Sequence, residues 1–236
     1  MLTLAKAHRA VFLSLVLCAC GAAPLRPGDR AASEQVSQET ADYAQLARGE
    51  GRVFRFDPAA SRIRIYVYRV GRVGHNHVVY PVRFNAQAFL PAQGMSRAQL
   101  DLEFRLDELE LDAPAERAAL GPAFASVIDE GDIARTREHM LGEENLQAGQ
   151  YPVVHVHALQ IAGEPPKLAA HLQIELHGER HAAWVAVDAT CLPEILCLAG
   201  SLVIKQTDFG IRPYTALGGL LGVQDTLVLD FRLVSG

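Results

Sequence analysis

The chain carries nine histidines in 236 residues. Four of them form two His-x-His pairs: His75 and His77 in "VGHNHVV", and His155 and His157 in "YPVVHVHAL". Residues two apart on a strand project from one face, so each pair can present two imidazoles together. Neutral imidazole coordinates zinc, copper or nickel, and it can also hold a polar head group by hydrogen bonds. In the second pair, Val154, Val156 and Ala158 take the inward positions, which leaves His155 and His157 facing water. Gly71 and Gly74 precede the first pair and leave its face open. His75 and His77 are therefore candidate ligand-binding or metal-ligating residues, or else they satisfy backbone groups where Gly74 turns the chain. His139, His171, His177 and His181 could bring a third ligand near. No Cys-x-x-Cys or His-Glu-x-x-His reinforces a metal site.

Other catalytic patterns are missing. There is no Gly-x-Ser-x-Gly elbow and no phosphate loop. Asp208-Phe209-Gly210 lacks every other part of a kinase, so the expected roles are structural: Asp208 caps a turn, Gly210 permits a bend, and Phe209 and Ile211 plug the core. Arg212 and Tyr214, just beyond, are placed to meet a head group. The single tryptophan, Trp184, lies on a strand where core packing is its expected role. The formal net charge is −5, which makes nucleic acid a poor partner.

The four cysteines fall into two groups. Cys18 and Cys20 end a leader in which Lys6, His8 and Arg9 precede a short apolar run, Ala10 to Leu17. That run is too short to span a bilayer and suits a signal peptide. "LCAC" fits the bacterial lipoprotein processing pattern at Cys20, since small Ala19 precedes it, and Gly21 after it points to the outer membrane. Residues 1–19 are thus expected to be a lipoprotein signal peptide, and Cys20 a lipidated N-terminus. Residues 20–50, rich in Ala, Ser, Gln, Glu and Pro, read as a tether with a frayed helix near Val36 to Leu46. Cys191 and Cys197 bracket Pro193 in an exported chain, which predicts a disulfide.

Residues 51–236 suit one domain, and its periodicity is two. Ile63, Ile65 and Val67 alternate with Arg62, Arg64, Tyr66 and Tyr68. Leu100, Leu102, Phe104 and Leu106 alternate with Asp101, Glu103, Arg105 and Asp107. Leu227, Leu229, Phe231 and Leu233 repeat the pattern near the C-terminus. One apolar and one wet face per segment predicts antiparallel strands around a single interior. Eight or nine such strands emerge. Ala113 to Leu141 breaks the pattern with good helix formers, and Asp129 or Asp132 can cap its second half. The fold class is all-β with short inserted helices, and the expected architecture is a closed antiparallel lipocalin-like β-barrel, with a sandwich as the alternative.

Several stretches, in order, resemble the YceI-like family of bacterial periplasmic proteins. They are "FDPAASRIRIYV", "REHMLGEENLQAGQYPVVHVHA", "LQIELHGERHAAWVAV", "VIKQTDFGIRP" and "VQDTLVLDFRLV", spanning most of Phe54 to Val234. At "VGHNHVV" the chain resembles the subset with Gly-His-x-His. The resemblance implies a lipocalin-like barrel that binds polyisoprenoid or another long-chain lipid, with no enzymatic activity and no cofactor beyond that ligand. His75, His77, Phe209, Arg212 and Tyr214 are its candidate ligand-binding residues. The implied partners are the lipid and a membrane reached through the anchor on the periplasmic face of the outer membrane; a homodimer is left open. A metal-binding protein using His75 and His77, and a structural or stress-response lipoprotein with a filled barrel, are the alternatives.

Overall fold

The computed structural model describes residues 41–191 and 193–236. Cys20, the leader and most of the tether lie outside the described residues. The first strand, β1, spans Gly51–Arg55. Before it, helix α1 (Tyr43–Leu46) is capped by Asp42, which accepts from the Gln45 amide at 3.0 Å. Its Tyr43 is buried, and the hydroxyl donates to Asp101 at 2.7 Å. The last part of the expected tether is therefore docked on the domain.

The strands follow as β2 (Arg62–Arg69), β3 (His77–Pro81), β4 (Asn85–Pro91), β5 (Gln99–Arg105), β6 (Leu109–Leu111), β7 (Val153–Glu164), β8 (Lys167–Leu176), β9 (Glu179–Thr190), β10 (Cys197–Lys205), β11 (Thr215–Ala216) and β12 (Leu221–Val234). Their pairings are all antiparallel, in the order β1-β4-β5-β7-β8-β9-β10-β12-β2-β3-β6. Alternation is cleanest in β8, where Leu168, Ala170, Leu172, Ile174 and Leu176 are all buried.

The sheet curls through 303° but does not run on as one closed ladder. The all-β, antiparallel part of the expected fold is present, and the sheet is a strongly curled open one. The cause is local. Residues 56–61 separate β1 from β2, Pro81 ends β3 before residues 82–84, and a 3-10 turn at Leu106–Glu108 separates β5 from β6. Proline cannot donate to a ladder. These breaks also raise the strand number above eight or nine. Beyond the end of β1, the Asp57 amide donates to the Val234 carbonyl at 2.9 Å, and the Gly236 amide to the Arg55 carbonyl at 3.0 Å.

Helix α2 (Pro114–Ala119) and helix α3 (Glu130–Leu141) are the inserted helices. Asp129 caps α3, accepting from the Asp132 amide at 2.8 Å. Between them, Phe124 covers Tyr66 and Val78 on the outer side of β2 and β3. Tyr66 is therefore buried, although the alternation in β2 had placed it on the wet face. Two further apolar clusters fill the concave side. One gathers Phe54, Phe56, Leu196, Leu198 and Leu233; the other gathers Leu106, Leu109, Ile174, Phe209 and Ile211.

Candidate functional site

The "GHNH" stretch lies where the chain enters β3, opposite the end of β2. His77 pairs with Val67 across that ladder. Its Nδ1 lies 2.5 Å from Oδ2 of Asp112, a fully buried carboxylate just after β6. The other carboxylate oxygen accepts from the Val78 amide at 3.0 Å and from Arg117 Nη1 at 2.6 Å. Arg117, buried on α2, also donates to the Asn76 carbonyl at 2.6 Å and to the Ser126 carbonyl and hydroxyl, each at 3.0 Å. His75 Nδ1 meets the same Ser126 hydroxyl at 3.0 Å. Asn76 accepts from the Arg69 amide and donates to the Ala123 carbonyl.

A buried cation and carboxylate require such saturation, because an unpaired buried charge is costly. Burial pushes the Asp112 carboxyl upward. The hydrogen bonds from His77, the Val78 amide and Arg117 outweigh that and hold it below the usual carboxylate range. His75 and His77 therefore brace the turn before β3 to the segment 112–126. Among the described residues, no three His, Cys, Asp or Glu side chains gather into a metal-holding group.

The remaining candidates are placed differently. Phe209 is only 1% exposed and Ile211 only 2%, so both plug the interior. Gly210 between them takes φ +69°, a left-handed conformation that glycine adopts without strain. His177, at the β8–β9 turn, donates through Nδ1 to the Phe209 carbonyl at 3.0 Å and pins the plug. The carboxylate that ties this turn is Asp225, which accepts from the amide and hydroxyl of Thr207; Asp208, the expected cap, is exposed. Arg212 and Tyr214 are exposed, and the Tyr214 ring lies 5.5 Å from His139 of α3. Trp184 is 55% exposed and stacks on His171 on the convex side of the sheet, which corrects its expected place in the core. His155 is exposed beside Glu103, while His157 is held 2.6 Å from Asp101. Cys191 and Cys197 are joined by a disulfide with their Cα atoms 5.4 Å apart.

Between the two concave clusters lies a belt of a different kind. Phe84, Leu102, Val156 and Leu202 pack against both clusters yet remain only partly buried. The ladders carry the belt around the sheet. Leu102 pairs with Val156, Val156 with buried Ile174, Leu202 with Leu229, Leu229 with Ile65, and Ile65 with buried Val79. Directly paired residues share a face, so these side chains point inward with the core. An inward apolar side chain that keeps accessible surface borders space the chain does not fill itself. A shallow cleft of about 360 Å³, lined by Arg83, Glu103, Arg105, Glu108 and His155 among others, opens near the break between β3 and β4; its charged walls do not suit a hydrocarbon.

Sequence reasoning missed Asp112 and Ser126, which lie 35 and 51 residues from the histidines they hold, and Arg117, which ties those two together. Only the type of Asp112 offered a signal: its φ is +56°, a conformation in which Asp is enriched among non-glycine residues.

No family model matches the chain, and no curated protein matches it. Solved structures do match. Burkholderia cenocepacia BcnA superposes with a TM-score of 0.57 at 14% identity, covering 77% of this chain and 99% of that one. A polyisoprenoid-binding domain from Saccharophagus degradans gives 0.51 at 14% identity, covering 77% and 97%. A Campylobacter jejuni YceI protein gives 0.51 at 10% identity, covering 71% and 86%. The chain has the YceI-like fold. At these identities the likeness concerns the fold, and the belt and the brace rest on this chain's own residues. Within the YceI-like fold, the paired imidazoles of "GHNH" serve as a cross-brace at one end of the sheet.

Proposed function

We propose that this chain is an exported, lipid-anchored member of the YceI family that holds a long-chain lipid, a polyisoprenoid or similar, inside a barrel closed around it, and that its role is binding rather than catalysis. The observation that carries this reading is the belt of inward apolar side chains that stay only partly buried between two buried clusters. A filled structural barrel would bury Leu102, Val156, Leu202 and Leu229 as fully as it buries Ile174. A hydrocarbon lying along the belt would cover them, at about 0.8 kcal/mol per buried methylene. Affinity should then rise with chain length and depend weakly on the head group. The S. degradans neighbour, described as polyisoprenoid-binding, supports the same ligand class. Lipidation at Cys20 would keep the domain beside its lipid source.

The test is extraction. Protein purified from its own membrane fraction should release a long-chain lipid into organic solvent in near-stoichiometric amount. Empty protein that takes up no polyisoprenol on incubation would refute the reading. Separately, Cys20→Ser should release the protein from the membrane fraction and Cys18→Ser should not; unchanged fractionation of Cys20→Ser would remove the anchor from the proposal.

A further inference from the structure

Three loops meet beside the His75–His77 brace. The turn 70–76 packs on the β11–β12 hairpin: the Val70 amide donates to the Gly222 carbonyl at 2.8 Å, Gln224 donates to the Arg69 carbonyl at 3.2 Å, and β11 pairs with Gly222 and Leu221. The His75–Ser126 contact brings in the third loop, which continues to Val127. These loops carry large apolar side chains in water. Leu217 is 70% exposed, Leu220 68% and Val127 91%, with Val70 and Val73 also exposed. Single exposed apolar residues are ordinary, but a contiguous group at loop tips marks an interaction surface.

Charge identifies the occupant. Among the described residues, Arg69, Arg72 and Arg212 at this end take part in no ion pair; elsewhere Arg52, Arg64, Arg83 and Arg180 are each paired with a carboxylate, while Arg55 and Arg232 are not. Asp225, on β12 after the apolar tips, is taken up by Thr207. Apolar tips with three arginines outside any ion pair beside them, and Asp129 and Glu130 set back behind Val127 at the start of α3, match an anionic bilayer surface, where apolar groups enter the acyl boundary and cations meet the head groups. A second copy of this end would oppose arginine to arginine.

We propose that this loop rim docks the domain onto anionic membrane, independently of the Cys20 anchor. The loops leave strand ends whose residues Val67, Leu227 and Ile204 are neighbours across the ladders. The rim therefore adjoins the interior to which the lipid-binding reading assigns the cargo. The proposal deepens that reading and can fail separately from it.

The test uses the full chain with Trp184→Phe and Leu217→Trp, mixed with vesicles of brominated phosphatidylglycerol and phosphatidylethanolamine. The otherwise unaltered chain, with Trp184 on the convex wall, is the control. Strong quenching and a blue shift are expected for the Leu217→Trp protein, with little change for the control. Both effects should fall on phosphatidylcholine alone and on replacing Arg69, Arg72 and Arg212 with Gln. Emission from the Leu217→Trp protein that stays water-like, or quenching equal to the control, overturns docking; so does loss of quenching accompanied by a doubled mass in native mass spectrometry. Extractable lipid is measured on the same samples. Cargo without quenching removes the rim and leaves the binding reading, and quenching without cargo does the reverse.

Discussion

The two His-x-His pairs have the same spacing and different fates. His155 and His157 lie on β7, a long strand paired on both sides, where the register sets Glu103 and Asp101 across from them. These contacts are partly exposed cross-strand pairs, and such pairs contribute little. His75 and His77 sit at a strand start beside a segment that buries an aspartate and an arginine. There, His77 completes a network whose charges are buried, and His75 joins it from the outside through the Ser126 hydroxyl. The difference shows that a spacing pattern supplies only geometry; what a histidine does is set by which charges the rest of the chain buries against it.

Substitutions should reproduce that contrast in order of size. Asp112→Ala leaves Arg117 buried without its carboxylate and should cost about 3–5 kcal/mol in urea unfolding. A loss under about 1 kcal/mol would mean the network is solvated. His77→Ala removes one charge-assisted bond and should cost about 1.5–3 kcal/mol. His157→Ala should cost about 0.5–1.5 kcal/mol, since Asp101 keeps the Tyr43 hydroxyl. His155→Ala should cost about 0–1 kcal/mol. An inverted order across the two pairs would break the comparison.

Acid should act on the same contrast. The Asp112 carboxyl is held below its ordinary value, so its contribution is fully present above the unfolded-state range near ~3.9 and is lost as pH falls through the lower folded value. Unfolding free energy measured from pH 5 downward should decline below about pH 4, and the decline should be shallower in Asp112→Asn. Identical acid profiles for the two proteins would assign the loss to other carboxylates.

Much of the fold was legible because alternation of apolar and polar residues reports directly which face is buried. Ile63, Leu172 and Leu233 were readable that way, and so was the helical break, with Asp129 as its cap. Tyr66 and Trp184 were misread for one reason: alternation separates two faces but does not show which part of the convex face another segment covers. Phe124 covers Tyr66, whereas Trp184 stacks on the neighbouring strand's His171 and stays 55% exposed. The breaks in the ladder were hidden because Pro81 and Leu106–Glu108 interrupt the hydrogen bonds without interrupting the apolar pattern. The brace was illegible because its partners are distant in sequence. The plug at Phe209 and Ile211 was readable from the glycine between them.

The central claim is that the belt between the two buried clusters borders space for a hydrocarbon. The most direct measurement compares Leu202→Trp with Val203→Trp, neighbours on β10 whose side chains point to opposite faces. Native mass spectrometry after incubation with a long-chain polyisoprenol should show bound lipid on the unaltered chain and on Val203→Trp, and a large loss on Leu202→Trp. Leu202→Trp should also unfold at a urea midpoint close to that of the unaltered chain, because the larger ring enters open space. If Leu202→Trp instead destabilises the fold by about 1–3 kcal/mol, as overpacking a filled core does, or if lipid binding is the same in both variants, the interior is occupied by the protein's own side chains and the account is wrong.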